Sequence, residues 1–163
     1  MSDGIDDLRR QWAQIAPELD TSSVDIVGRI LRLAQILHAR MDAALLELGL
    51  TRGEFDILSL LLRSGRALTA SDLATGLHTS PAGTTKRIKK LVANGFATRQ
   101  SHPADARSVL VAPTPATSAV VHTAVQTLFR VESDFLHALP QPQRAGLVDA
   151  LRQLLVHAEQ TQR

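Results

Sequence analysis

Thr79-Ser80-Pro81-Ala82-Gly83-Thr84-Thr85-Lys86-Arg87-Ile88-Lys89-Lys90-Leu91-Val92-Ala93-Asn94-Gly95 reads as one helix with its own start and stop. Thr79-Ser80-Pro81 supplies the start. Asn94-Gly95 supplies the stop. All three lysines of the chain fall in this run, and the other fifteen basic residues are arginines. A short, capped, cationic helix in a chain of net charge +2 is suited to lie against a polyanion, DNA foremost.

On a wheel of about 100° per residue, Ile88, Leu91, Val92 and Thr84 form one face and Lys86, Lys90, Ala82, Gly83 and Ala93 the opposite one. The small residues at 82 and 83 allow close approach to a groove, where Lys86 and Lys90 would meet phosphates or guanine edges. Taken alone, such a face is equally readable as a solvated lysine surface. Arg87 lies about 100° from Ile88, at the boundary of the two faces. From there it could contact a phosphate or turn inward.

The flanking sequence separates DNA contact from a solvated face. Thr51-Arg52-Gly53-Glu54 opens a helix carrying Phe55, Leu58, Leu61 and Leu62, which ends near Gly65. A short helix through Ser71-Asp72-Leu73-Ala74 follows, and the basic helix comes next, so the pair reads as a helix-turn-helix. After Gly95, Phe96–Gln100 and Ser108–Val111 are strand-like runs around the polar turn Ser101–Arg107. A hairpin directly after a helix-turn-helix is a wing. Arg107 at its tip could enter a minor groove with Asp105 bracing the guanidinium, or be an ordinary surface arginine.

Helices remain at both ends of the chain. Ile5, Leu8, Trp12 and Ile15 recur at helical spacing and stop at Pro17. Thr21-Ser22-Ser23 before Asp25 suggests a capped start to a long helix through Val27, Ile30, Leu31, Ala34, Leu37, Met41, Leu45 and Leu48, ended by Gly49. Thr114-Pro115 opens a further helix with Val121, Val125, Leu128 and Phe129, and Pro140 and Pro142 separate it from a last one using Leu147, Leu151, Leu154 and Leu155. The fold expected is therefore mainly α: a winged helix-turn-helix over residues 50–112, with dimerisation helices over 1–49 and 113–163. Apolar stripes left over from the winged core should meet in a homodimer.

Charge is distributed to match. Residues 61–110 hold 8 basic and 2 acidic groups, while residues 1–60 hold 6 and 10. The positive field is localised, as a nucleic-acid contact requires. With no cysteine, thiolate metal sites, disulfides and thiol redox chemistry are excluded. The six histidines show no paired spacing, and no phosphate loop or nucleophile motif is present. No enzyme activity, cofactor or metal is expected. The acidic N-terminus and the lack of a long apolar run point to a cytoplasmic protein.

Three segments resemble the MarR family of winged-helix regulators: Leu50–Leu58, Ser80–Leu91 with Gly95-Phe96, and Pro103–Val111 with its Asp-x-Arg wing. The wing in that family is usually followed by Leu-Thr-x-x-Gly; here Pro113-Thr114-Pro115-Ala116-Thr117 keeps the threonine and lacks the glycine. The resemblance implies a homodimer with interlocked terminal helices on a palindromic operator. The DNA-contacting set would be Ser80, Ala82, Gly83, Thr84, Lys86, Lys90, Asp105 and Arg107.

The added first helix resembles the urate-responsive and PecS-like branch. Trp12, Asp56, Arg87 and Arg99, the arginines twelve residues apart, match the ligand and signalling positions of that branch in order and spacing. The resemblance favours an inward role for Arg87. Two arginines near a tryptophan suit a planar aromatic anion such as urate, which can stack and accept bidentate hydrogen bonds. The expected function is a repressor released by such an effector. A regulator of another anionic or phenolic effector, and an effector-independent architectural DNA-binding protein, are the alternatives.

Overall fold

The computed structural model describes residues 2–103 and 105–161, with the side chains of residues 102 and 105–107 outside that description. Along the chain it builds α1 (Gly4–Ile15), α2 (Val24–Glu47), α3 (Arg52–Ser64), β1 (Leu68–Thr69), α4 (Ala70–Gly76), α5 (Pro81–Ala93), β2 (Ala97–His102), β3 (Asp105–Pro113), α6 (Pro115–Phe135), a 3-10 turn (Leu136–Ala138) and α7 (Gln141–Thr161). The sheet is antiparallel in the order β1-β3-β2. The architecture is mainly α with a winged helix-turn-helix, as the sequence predicts. The hairpin strands run longer than the apolar runs that mark them. β1 is the one sheet element the sequence does not announce: Leu68 pairs with Val111 and Thr69 with Leu110, and two residues are too short to show a period of two.

Local chemistry sets the boundaries. α3 opens on a capping box in which the Thr51 N–H donates to Glu54 (2.8 Å), and it ends on Gly65 at φ +63°, the left-handed conformation glycine adopts without a Cβ clash. α6 begins at Pro115 as expected, although the family's glycine is missing. Thr117 stands in that place as a capping residue: its hydroxyl accepts from the Thr114 N–H at 2.8 Å and donates to the Phe96 carbonyl, and it is fully buried. The start of α2 differs from expectation. Ser23 makes no side-chain cap, and Asp20 accepts from the Ser22 N–H at 2.8 Å instead.

One core joins the C-terminal half of α2 to α3, α4, α5, the sheet and α6. Leu45, Leu58, Leu61 and Leu73 are completely buried, with Ile88, Leu91 and Val111 nearly so. Each such side chain contributes about 1.5–3 kcal/mol relative to exposure. The terminal helices are different. α1 docks on α2 through Ile5 against Gly28, where an added Cβ would lie 3.1 Å from Ile5 Cδ1. Arg29 of α2 completes that dock by binding Asp3 (2.8 Å) and Asp6 (2.6 Å) of α1, and Asp25 of its own helix (3.1 Å). α7 buries no residue at all, and its Leu147, Leu151, Leu154 and Leu155 stripe is 42–59% exposed. No described helix is long and apolar enough to cross a membrane.

Candidate nucleic-acid interface

α4 and α5 are built as two capped helices around a tight turn. Thr69 caps α4 by a reciprocal pair with Asp72, each hydrogen bond 3.1 Å. The turn passes through His78 at φ +51°, a left-handed conformation that histidine, asparagine and aspartate adopt more readily than other non-glycine residues. Ser80 then caps α5, its hydroxyl accepting from the Gly83 N–H at 3.2 Å, with Pro81 at the first position. Ile88 and Leu91 seat the helix in the core.

The two wheel faces mostly hold. Ser80, Ala82, Lys86 and Lys89 are exposed, and Gly83 is half-buried. Among the described residues, Lys86 and Lys89 make no ion pair or hydrogen bond, so both ammonium groups are available to an external anion. Thr84 requires a correction. It is completely buried and its hydroxyl lies 2.8 Å from that of Thr79, so it closes the turn from within and cannot contact DNA. It shares the face of Ile88, one turn later, and that face is core. Asp105 and Arg107 belong to β3, but their side chains lie outside the described residues.

Lys90 also departs from a purely outward reading. Its Nζ lies 2.9 Å from Glu54 Oε1, and the Glu54 side chain is only 4% exposed. Burial alone would raise the Glu54 carboxyl, but the Thr51 N–H and the Lys90 ammonium outweigh it and hold the group below its ordinary value. Exposed ion pairs contribute ~0–1 kcal/mol, whereas stranding a buried charge costs about 3–5 kcal/mol. From the carboxylate's side, this pair resembles the second case. In the sequence Glu54 stands out only as part of the run that opens α3; its partner lies far along the chain.

Arg87 turns inward. Its side chain lies over the first turn of α3, where a Cβ on Gly53 would be 2.5 Å from Arg87 Nε and 2.9 Å from Cζ. Beside it, α2, α3 and α5 enclose a cleft of about 620 Å³ walled by Asp42, Arg52, Glu54, Lys86, Arg87 and Lys90 among others. Arg52, which the sequence does not single out, donates from Nε to Asp42 at 3.1 Å, while its Nη2 is buried without a described partner.

Asp56 is half-buried and forms no hydrogen bond or ion pair with the described residues. Burial raises its carboxyl above the ordinary value, opposed by the charges of Arg52, Arg63 and Arg87 and reinforced by Asp42. Arg87 and Asp56 therefore share one electrostatic field without touching. Trp12 is 44% exposed on α1, Arg99 is exposed on β2, and neither they nor Asp56 line the cleft.

A capped helix-turn-helix with free lysines on its second helix and a hairpin after it defines a winged-helix DNA-binding protein. Residues 48–108 match the model of the MarR family. The chain is 26% identical over 145 residues to the HTH-type transcriptional regulator PecS of Dickeya dadantii, covering 88% of this chain and 87% of that protein. Its fold is similar to Bordetella bronchiseptica BpsR, whose DNA binding is regulated by 6-hydroxynicotinic acid (TM-score 0.65, 26% identity, 83% of this chain and 97% of that one). It is also similar in fold to a mutant MarR from E. coli complexed with operator DNA (TM-score 0.64, 23% identity, 88% and 97%). The chain thus resembles the MarR-family winged-helix transcriptional regulators, PecS among them.

Proposed function

We propose that this regulator binds a palindromic operator as a homodimer and represses until a small aromatic anion of the urate kind enters beside Arg87. One observation carries the ligand half of this reading: Arg87, in the middle of the DNA-facing helix, lies on α3 instead of pointing outward, with its charge reaching Asp56. An anion that binds there can act on DNA only through unequal affinity for the bound and released shapes, and a guanidinium shared by α3 and α5 supplies that inequality. The aromatic acid that regulates BpsR supports the ligand class. Trp12 and Arg99 join the site on the strength of the family resemblance. DNA would be met by Ser80, Ala82, Gly83 and Lys86 on α5 and by Asp105 and Arg107 in the wing. The uncovered stripes of α1, α2 and α7 support the dimer.

The test is a thermal-shift panel of urate, xanthine, 6-hydroxynicotinate and citrate, followed by DNA release with the ligand that binds. A ligand of the folded state raises the melting temperature by mass action. The expected result is a shift and DNA release with an aromatic anion, both lost in Arg87→Ala and the release lost in Trp12→Ala. Normal release by both variants would exclude the site. A response to citrate alone would replace the aromatic class with a tricarboxylate.

A further inference from the structure

We propose that Glu54 is a positioning residue for DNA binding, holding Lys90 as an internal strut of α5 and not as a phosphate contact. The proposal rests on α5 being the helix that meets DNA. Glu54 has both carboxylate oxygens engaged: Oε2 accepts the Thr51 N–H at 2.8 Å and Oε1 accepts Lys90 Nζ at 2.9 Å. Its own helix is immobilised, because Phe55, Ile57, Leu58 and Leu61 are all buried. The carboxylate is thus a fixed point on the rigid part of the fold.

α5 needs such a point. Its core contacts through Ile88 and Leu91 are apolar and non-directional, and its buried hydroxyl pair, Thr84 with Thr79, ties it to its own preceding turn and not to α3, so these contacts set its depth more firmly than its rotation against α3. A charged hydrogen bond from Lys90 to a fixed acceptor defines that rotation. It thereby aims Lys86, which lies one turn earlier on the same face and has no described partner. Lys90 is itself half-exposed at 53%, so its chain could swing out. Swinging out would leave Glu54 charged and nearly buried with only the hydrogen bonds of Thr51, a heavier loss than one phosphate contact returns. The pair therefore persists on DNA.

The experiment measures affinity against salt concentration for the full chain on one duplex, chosen by selection from a random pool. Glu54→Gln keeps an acceptor for the Thr51 N–H but removes the charge. Glu54→Gln and Lys90→Met should each weaken binding about tenfold with the salt slope unchanged, and the double variant should be no weaker than either single one. Lys90→Arg should restore affinity. Lys86→Ala, by contrast, should lower the slope by about one.

A slope reduced by Lys90→Met, or tighter binding in Glu54→Gln, would make Lys90 a phosphate contact and overturn the proposal. A lower melting temperature with unchanged affinity would also overturn it, as would additive losses. An unchanged slope in Lys86→Ala would instead count against α5 as the DNA-facing helix. Should Glu54→Gln not fold, the slope of the half-exposed Lys90→Met decides alone.

Discussion

α5 and α7 are both amphipathic helices, and they are stabilised in opposite ways. α5 has only 13 residues, yet it is capped by Ser80, seated by Ile88 and Leu91, and tied to α3 by Lys90 and Arg87. α7 has 21 residues and buries none of them; its described ties beyond its own turns are two hydrogen bonds from Arg144 to the Leu136 and Leu139 carbonyls. Length alone seldom stabilises a helix in water; in proteins a covered apolar face does most of it. The apolar face of α5 is covered within one chain, whereas α7 presents an exposed stripe.

The largest expected effect follows from removing that stripe. Leu151→Asp with Leu155→Asp should turn a sedimenting dimer into a monomer and weaken operator binding by roughly 100-fold or more, since two linked half-sites bind far better than one. Equal sedimentation of variant and parent would remove the contrast between the two helices.

A smaller effect is expected where α5 is seated. Gly53→Ala places a methyl against Arg87 and should dislodge its side chain, raising the ligand concentration needed for DNA release by about tenfold while the added helix propensity, up to ~1 kcal/mol, sustains the fold. Release at the parent's concentration would show that the seat of Arg87 is irrelevant to switching.

The smallest effect concerns α1, which is intermediate between the two cases: docked on its own chain by Ile5 and by the ion pairs of Arg29. Hydrogen bonding from Arg29 lowers the Asp3 carboxyl, and the Asp3 N–H followed by Arg29 lowers that of Asp6. Carboxyls depressed by folding contribute stability that is complete above their ordinary values and lost as the pH falls through the depressed ones. Trp12 emission should therefore report α1 loosening as the pH drops below about 4, ahead of the core transition seen by circular dichroism. Arg29→Met should show the loosened emission at neutral pH and no such acid step.

What the sequence reveals depends on how local each cause is. The ends of α3 and α5 are legible because caps act within four residues, and the wing is legible because a hairpin follows its helix directly. Arg87 is half-legible: the wheel leaves it at a boundary, and only the family resemblance tips it inward. Thr84 enters the DNA contacts through the family resemblance although the wheel already puts it on the Ile88 face, and the buried hydroxyl pair with Thr79 bears out the wheel. The Glu54–Lys90 and Arg52–Asp42 pairs depend on helix packing, which no periodicity encodes. Trp12 and Arg99 are placed by resemblance, and neither lines the cleft beside Arg87.

The confinement of all lysines to α5 has a chemical consequence. Every ε-amine of the protein sits on α5, the helix proposed to meet DNA, and arginine, with its far less nucleophilic guanidinium, supplies the cationic side chains elsewhere. An acyl donor that reacts with lysine would therefore strip charge from this one helix and leave the arginines of the chain untouched. Lys86 and Lys89 would be modified first, since the Lys90 ammonium is held by a carboxylate. Bound DNA should shield the same amines, so the acylation pattern would serve as a footprint of the protein's own occupancy.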